Sequence, residues 1–353
     1  MSKPVVTFKD VDIVFGDNPQ SALALIDAGK SREEIQEETG QILGVAGANL
    51  QVMEGEIIVL MGLSGSGKST LLRAVNGLNP VIRGETLVDN GDSFIDPQRC
   101  SAGDLRRLRM ERVAMVFQQF GLLPWRSVAD NVGFGLELSG LAAAKRRARV
   151  SEQLELVGLT QWADRRVNEL SGGMQQRVGL ARAFATGAPL LLMDEPFSAL
   201  DPLIRTRLQD ELLQLQQQLK KTIIFVSHDL DEAFRIGNRI AIMEGGRIVQ
   251  CGTPQEIVKN PANEYVTDFV ANMNPLSLLV AEDVMTGGKA DDVATNGDFS
   301  ATAMRDTPLV EILDAIAKRP GAVGVVDNGV LVGTITAQDI VEGLTSHRQS
   351  ATQ

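Results

Sequence analysis

The chain has 353 residues, 44% of them apolar and 22% charged, which is enough apolar material to bury cores and excludes a disordered chain. Two cysteines exclude a disulfide framework and suit a reducing compartment, and a net charge of −11 argues against general nucleic-acid binding. This length predicts one large domain or two modest ones, and no apolar run approaches the ~20 residues that a bilayer crossing needs.

The N-terminal MSKPVVTFKD carries no apolar secretory core. Residues 3–16 alternate apolar and polar side chains and end in Phe15-Gly16, which predicts an edge strand and a turn. Residues 17–48 read as an insertion with two short helices. The second is announced by Ser31-Arg-Glu-Glu34, a capping-box spacing, and the plain role for such a segment is a surface embellishment. Strand-like runs over 48–61 lead into a glycine-rich loop and a helix over Ser69–Asn76. Residues 100–175 read as a helical subdomain, interrupted by a strand at Val113–Phe117, with the basic run Lys145–Arg149 on a solvated face. Strand–helix alternation from Leu190 to Ile248 predicts a largely parallel sheet, and 252–275 reads as a linker or closing helix. After the polar, glycine-rich stretch 286–300, residues 301–344 read as a small α/β unit: a helix at 308–318, strands at 324–326 and 330–335, and a helix from Gln338. The expected domains are therefore 1–278 and 279–345, with a boundary near 278–282 and a frayed tail over 346–353.

Three stretches carry chemistry. Gly62-Leu-Ser64-Gly65-Ser66-Gly67-Lys68-Ser69 fits G-x-x-x-x-G-K-[ST] between an apolar strand and a helix. Glycines there let backbone N–H groups turn toward phosphates at a helix N-terminus; Lys68 would reach the β/γ-phosphates and the Ser69 hydroxyl a Mg²⁺. Leu190-Leu-Leu-Met-Asp194-Glu195 ends a buried strand in two acids. The first, Asp194, would hold the metal through water and the second, Glu195, would orient or deprotonate the attacking water. Leu170-Ser171-Gly172-Gly173-Met174-Gln175 opens a helix and forms a second anion cradle. One phosphate chain rarely needs two cradles, which suggests that the second serves the nucleotide of another subunit.

Taken in order, Gly62–Ser69, Gln118, Leu170–Gln175, Asp194-Glu195, Ser198-Ala-Leu-Asp201 and His228 resemble the full motif set of an ATP-binding cassette (ABC) ATPase, over about residues 4–275. The resemblance implies an α/β fold: a phosphate-loop NTPase cassette with a RecA-like core, a helical subdomain and an N-terminal antiparallel β part. It implies a γ-phosphate switch role for His228, Mg²⁺ and water sensing for Gln118, nucleotide contacts for Thr70 and Gln175, dimer coupling for Asp201, and adenine stacking for Phe15. The finer resemblance is to the ATPases of quaternary-amine importers. It is carried by the insertion, Asp201-Pro-Leu-Ile-Arg-Thr206 and Ser227-His-Asp-Leu-Asp-Glu-Ala-Phe-Arg-Ile-Gly237; Gln118–Arg126 and Ala183-Phe-Ala-Thr186 look most like the choline branch. Residues 283–344, with Asp283-Val-Met-Thr286 and Gly333-Thr-Ile-Thr336-Ala-Gln-Asp339, resemble a single CBS motif, where two are usual; either two chains pair their tails or the tail is a dimerisation vestige.

The expected protein is thus an ATPase at the cytoplasmic face of the inner (plasma) membrane. A head-to-tail homodimer would sandwich two Mg-ATP and drive a separate permease supplied by a periplasmic or lipid-anchored binding protein. Choline is the expected cargo, with glycine betaine, proline betaine and carnitine as alternatives. A DNA- or ribosome-directed cassette is disfavoured by the single cassette and the acidic balance, and a non-catalytic sensor by the intact catalytic positions.

Overall fold

A computed structural model describes residues 3–118, 121–198, 200–271, 279–287, 299–327 and 329–350. By packing, the chain forms two units, Met1–Cys251 and Gly252–Gln353.

The first unit opens with β1 (Pro4–Phe15), α1 (Leu23–Asp27), α2 (Arg32–Thr39), β2 (Ile42–Met53), β3 (Ile57–Met61), α3 (Lys68–Ala74), β4 (Arg83–Asp89) and β5 (Phe94–Ile95). Then come α4 (Ala102–Arg107), a π-helical turn, β6 (Val113–Val116), α5 (Val128–Val132), α6 (Phe134–Leu138), α7 (Ala143–Leu156) and α8 (Gly172–Ala185). It closes with β7 (Leu190–Asp194), α9 (Pro202–Leu219), β8 (Thr222–Val226), α10 (Leu230–Ile236), β9 (Arg239–Glu244) and β10 (Arg247–Gly252).

Two sheets result. One is antiparallel, in the order β2-β1-β4-β5; the other has the order β10-β9-β3-β8-β7-β6, with β9, β3, β8, β7 and β6 parallel. Every residue of β3, β7 and β8 is buried, as expected of central parallel strands covered on both faces. The parallel register brings the carboxyl ends of β3, β6, β7 and β8 to one edge. Open α/β sheets bind ligands at that edge.

Several expectations are corrected. β1 is not an edge strand: it bonds β2 on one side and β4 on the other, because Arg83–Asp89 folds back along it. The insertion is helical only through Thr39; from Ile42 the chain is already in β2, where Leu43, Val45 and Ala46 are all buried. The helical subdomain's core runs from Val128 to Ala185, whereas Leu105 and Leu108 of the preceding helical segment pack into the core shared by the two sheets. The packing division falls after Cys251, where β10 ends the second sheet, rather than near 278–282. Helices α11 (Pro254–Lys259) and α12 (Glu264–Ala271) accordingly belong to the second unit, where Lys259 ion-pairs with Asp283.

The insertion is fastened firmly. Ala22, Ile26 and Ile35 are buried with Val14, Leu43 and Ala46. Fully buried Asp12 accepts from the Gly47 N–H (2.7 Å) and pairs with Arg83, whose guanidinium also reaches Asp27 of α1 at 2.7 Å. The capping box is present: Ser31 Oγ accepts from the Glu34 N–H (3.2 Å) and the Glu34 carboxylate accepts from the Ser31 N–H (2.7 Å). Ser31→Ala is expected to lower stability by about 1 kcal/mol, read as a shift of the urea midpoint at unchanged slope. No shift would mean that tertiary packing alone holds α2.

The second unit adds α13 (Ala281–Val284), β11 (Thr286–Gly287), β12 (Ala301–Met304), α14 (Leu309–Lys318), β13 (Val323–Asp327), β14 (Val330–Ile335) and α15 (Ala337–Ser350). Its sheet has the order β11-β14-β13-β12, with β12 and β13 parallel, over a core that includes Leu309, Ile312, Val323, Val325, Ile335 and Ile340. The helix predicted from Gln338 continues to Ser350, so the tail expected over 346–353 is helical through that residue; 351–353 lie outside the described residues, as does most of 286–300. Thr336 and Asp339 cap α15 reciprocally: the Asp339 carboxylate accepts from the Thr336 N–H (2.7 Å) and hydroxyl (2.6 Å), and from Thr286 Oγ1 (2.8 Å). Among the described residues, no helix is long and apolar enough to cross a membrane.

Candidate nucleotide site

Gly62–Gly67 joins β3 to α3, and its backbone passes too close to its surroundings for side chains at both ends. A Cβ at Gly62 (φ +145°) would lie 2.1 Å from the Met243 carbonyl oxygen, and one at Gly67 (φ +100°) 2.4 Å from that of Gly44. Lys68, the first residue of α3, is buried, and its Nζ donates to the carbonyls of Gly62 (2.8 Å) and Leu63 (2.9 Å). Burial pushes its pKa down, while the charges of Glu195 and Asp194 act to raise it. The result is an under-solvated ammonium inside a backbone loop, suited to an anion. Ser66 is buried next to it, whereas Ser64 and Gly65 are exposed at the tip.

Asp194 ends β7 with its side chain fully buried. One carboxylate oxygen accepts from Ser69 Oγ at 2.6 Å and the other from Arg73 at 2.7 Å. Arg73 was not singled out by the sequence pattern. Its place four residues beyond Ser69 on α3, hence on the same helix face, is the signal that would have found it.

Glu195 follows with φ +46°, a left-handed backbone that costs a non-glycine residue roughly 1 kcal/mol or more. Its N–H donates to the Val226 carbonyl (3.1 Å) and its carbonyl accepts from Ser198 Oγ (3.1 Å), which holds the turn. That turn aims the carboxylate: the same oxygen, Oε2, lies 3.0 Å from Gln118 Nε2 and 3.1 Å from His228 Nδ1. Three strand ends, β6, β7 and β8, thus converge on one carboxylate beside the phosphate loop's lysine and serine.

The oxygen donors of Ser69, Asp194 and Gln118 fit a hard cation such as Mg²⁺. Among the described residues, no group of three or more His, Cys, Asp or Glu is placed to hold a metal ion.

The remaining predicted residues lie around this centre with local partners. Phe15 is half-buried at the end of β1; a Cβ on Gly44 would come within 2.9 Å of both its ring and Thr70, so Phe15 borders the start of α3. Ser171 and Gly172 are exposed, and Ser171 caps α8. Gly173 faces Leu200, where a Cβ would meet Cδ2 at 3.0 Å, and Gln175 Nε2 donates to the Leu170 carbonyl (3.1 Å). Asp201 caps α9, accepting from the Ile204 N–H at 3.0 Å. Of the quoted motifs, Gln119, Phe120 and Ala199 lie outside the described residues, as does the side chain of His347. Sequence reasoning also missed Arg32 of α2, which donates to the Gly65 carbonyl and so brings the insertion onto the phosphate loop.

Residues 45–198 match the profile of the ABC transporter family. The chain is 51% identical, over 276 residues, to the glycine betaine/proline betaine transport system ATP-binding protein ProV of Salmonella typhimurium, covering 78% of this chain and 68% of that protein. It is 38% identical to the trimethylamine N-oxide transport system ATP-binding protein TmoW of Pelagibacter ubique, over 99% of this chain and 100% of that protein. Among solved structures it is similar to the ATP-binding cassette MJ0796, a dimer in a post-hydrolysis state with ADP and Pi, at TM-score 0.60 and 30% identity, over 70% of this chain and 98% of that one.

Proposed function

The chain belongs to the family of ABC transporter ATP-binding proteins, and on that premise we propose that it is the ATP-hydrolysing subunit of an importer for small quaternary or methylated amines. The observation that carries the hydrolytic part is the convergence of Gln118 and His228 on the Glu195 carboxylate, next to Lys68. Lys68 and the loop N–H groups would bind the β/γ-phosphates, Glu195 would take a proton from the attacking water, and His228 would contact the γ-phosphate. Ser69, and Asp194 through water, would hold Mg²⁺ with Gln118 nearby; when bound, the ion supplies positive charge to the phosphate oxygens.

The exposed Ser171-Gly172 at the start of α8, with Gly173 and Gln175 behind them, would close on the nucleotide of a second copy, giving a head-to-tail homodimer with two ATP molecules between its halves; Asp201 would join the two sites and Phe15 would stack on adenine. A related cassette solved as a dimer supports this arrangement. The permease would dock on the face following Gln118. Supporting this are Trp125, 68% exposed, and a neighbouring groove of about 400 Å³ between α5 and α7, lined by Asp130, Glu137, Arg146 and Val150. The subunit would work at the cytoplasmic face of the inner membrane, with a periplasmic or lipid-anchored binding protein delivering cargo to the permease. The second unit is proposed as a CBS-like regulatory or pairing module, on its motif and its small mixed sheet.

Cargo class follows the relatives, whose names specify glycine betaine, proline betaine, carnitine and trimethylamine N-oxide. Within that class the wording of Gln118–Arg126 favours choline. ATP turnover by the complex reconstituted with its permease and binding protein should rise severalfold with one of choline, glycine betaine, proline betaine or carnitine. Stimulation by choline selects the choline branch, and stimulation by none removes the amine assignment while leaving the ATPase in place.

A further inference from the structure

The segment Asp201-Pro-Leu-Ile-Arg-Thr206 has a role in the structure beyond opening α9. Arg205, on the first turn of that helix, sends its two terminal nitrogens to different loops. Nη1 donates to Asp229 Oδ2 at 2.8 Å, and Nη2 to the Leu200 carbonyl at 3.3 Å. Leu200 belongs to the loop that leaves β7 through Glu195, and Asp229 immediately follows His228 in the loop that leaves β8. Glu195 and His228 touch at 3.1 Å, so the two loops and the guanidinium form a closed ring. Its interior is a cavity of about 10 Å³ lined by Glu195, Ser198, Arg205, His228 and Asp229, with room for about one water.

The histidine loop is braced on its other side as well. Asp229 Oδ1 caps α10 by accepting from the Glu232 N–H (3.0 Å), and its own N–H donates to Ser227 Oγ (3.0 Å). Ser227 Oγ donates to the buried Glu232 carboxylate (2.5 Å), which also accepts from Gln209 Nε2 (3.0 Å). Gln209 lies one turn beyond Arg205, so α9 meets Asp229 of the histidine loop and Glu232 of the following α10 at successive points on one helix face. Only the Arg205 grip also holds the loop that carries Leu200.

We propose that Arg205 is a positioning residue that couples the backbone at Leu200 to the switch-histidine loop, so that a displacement of either is passed to the Glu195–His228 pair. A planar fork with separate donors can hold a carboxylate and a carbonyl in different loops at fixed separation. A lysine supplies one point charge and can hold only one of them firmly. The chain hydrolysing ATP is the premise of this assignment.

The test is ATP turnover by the reconstituted complex, comparing wild type with Arg205→Ala, Arg205→Lys, Asp229→Asn and the Arg205→Ala/Asp229→Asn double variant. Asparagine keeps the helix cap at 229 and removes the charge that Arg205 holds. Misplacing reacting groups costs rate rather than ground-state affinity, so each single variant is expected to lose kcat by about 10- to 100-fold while KM stays within about twofold. The double variant should be no slower than Arg205→Ala, since both remove one linkage. Wild-type kcat in Arg205→Ala, full rescue by lysine, or multiplied losses in the double variant would each overturn the proposal. Should Arg205→Ala fail to fold by thermal melting, Asp229→Asn and Arg205→Lys decide it on the same kcat and KM criteria. A wild-type complex without ATP turnover would overturn the ATPase reading and this coupling with it; active wild type with unaffected variants overturns the coupling alone.

Discussion

Glu195→Gln is expected to bind ATP and to hydrolyse almost none of it. The amide preserves the size of the carboxylate and can still accept from Gln118 Nε2, 3.0 Å away in the wild type, so the shape of the site is kept. It cannot take a proton. General-base assistance is worth roughly 10²- to 10⁴-fold, and a loss of kcat in that range with ATP affinity within about threefold of wild type is the expected result. The φ of +46° at this position strengthens the expectation, because the turn is held by backbone bonds that the substitution leaves alone. Measuring kcat on the reconstituted complex and nucleotide binding on the same preparation checks it. Turnover near wild type would remove Glu195 as the base.

Lys68→Ala should fail earlier, at binding. The ammonium is buried and its own hydrogen bonds go to neutral groups, the Gly62 and Leu63 carbonyls and the Ser66 hydroxyl, so no anion within the loop neutralises it directly. A triphosphate supplies that anion, and a charge-assisted hydrogen bond is worth about 1.5–3 kcal/mol, which converts to a loss of ATP affinity of roughly 10- to 100-fold. The truncation also strips the Gly62 and Leu63 carbonyls of a donor, so some loss of stability should accompany the loss of binding. Titration with a fluorescent ATP analogue separates this from Glu195→Gln, which keeps its affinity. Binding within threefold of wild type in Lys68→Ala would mean that the backbone N–H groups alone hold the phosphates.

Much of the site was legible because its chemistry is written in short, contiguous patterns. A glycine-rich turn ending in Lys68-Ser69, and an apolar run ending in Asp194-Glu195, each place their groups by local geometry alone. The fold was legible for a related reason: β3, β7 and β8 are continuous apolar runs, the mark of strands buried on both faces. The misreadings came where partners are distant. β1 looked like an edge strand because nothing near it in the chain announces that Arg83–Asp89 will pair with its free side. The insertion was read too long because the first residues of β2 lie directly against a capped helix. Arg73 and Arg32 were missed since an arginine's partner can stand anywhere its long side chain reaches, and here the partners lie 121 and 33 residues away.

The sequence by itself determined which groups are offered for a nucleotide site: a lysine, a serine, two acids, a glutamine and a histidine, in an order that resembles an ABC ATPase. Only the tertiary structure decided how those groups meet. Gln118, Glu195 and His228 are separated by 77 and 33 positions along the chain, and the parallel register of β6, β7 and β8 brings their strand ends to one edge. The left-handed turn at Glu195 and the two-loop grip of Arg205 belong to the same class. Backbone strain and a forked hydrogen bond are properties of a place in the fold, set by packing that no local pattern of residues encodes.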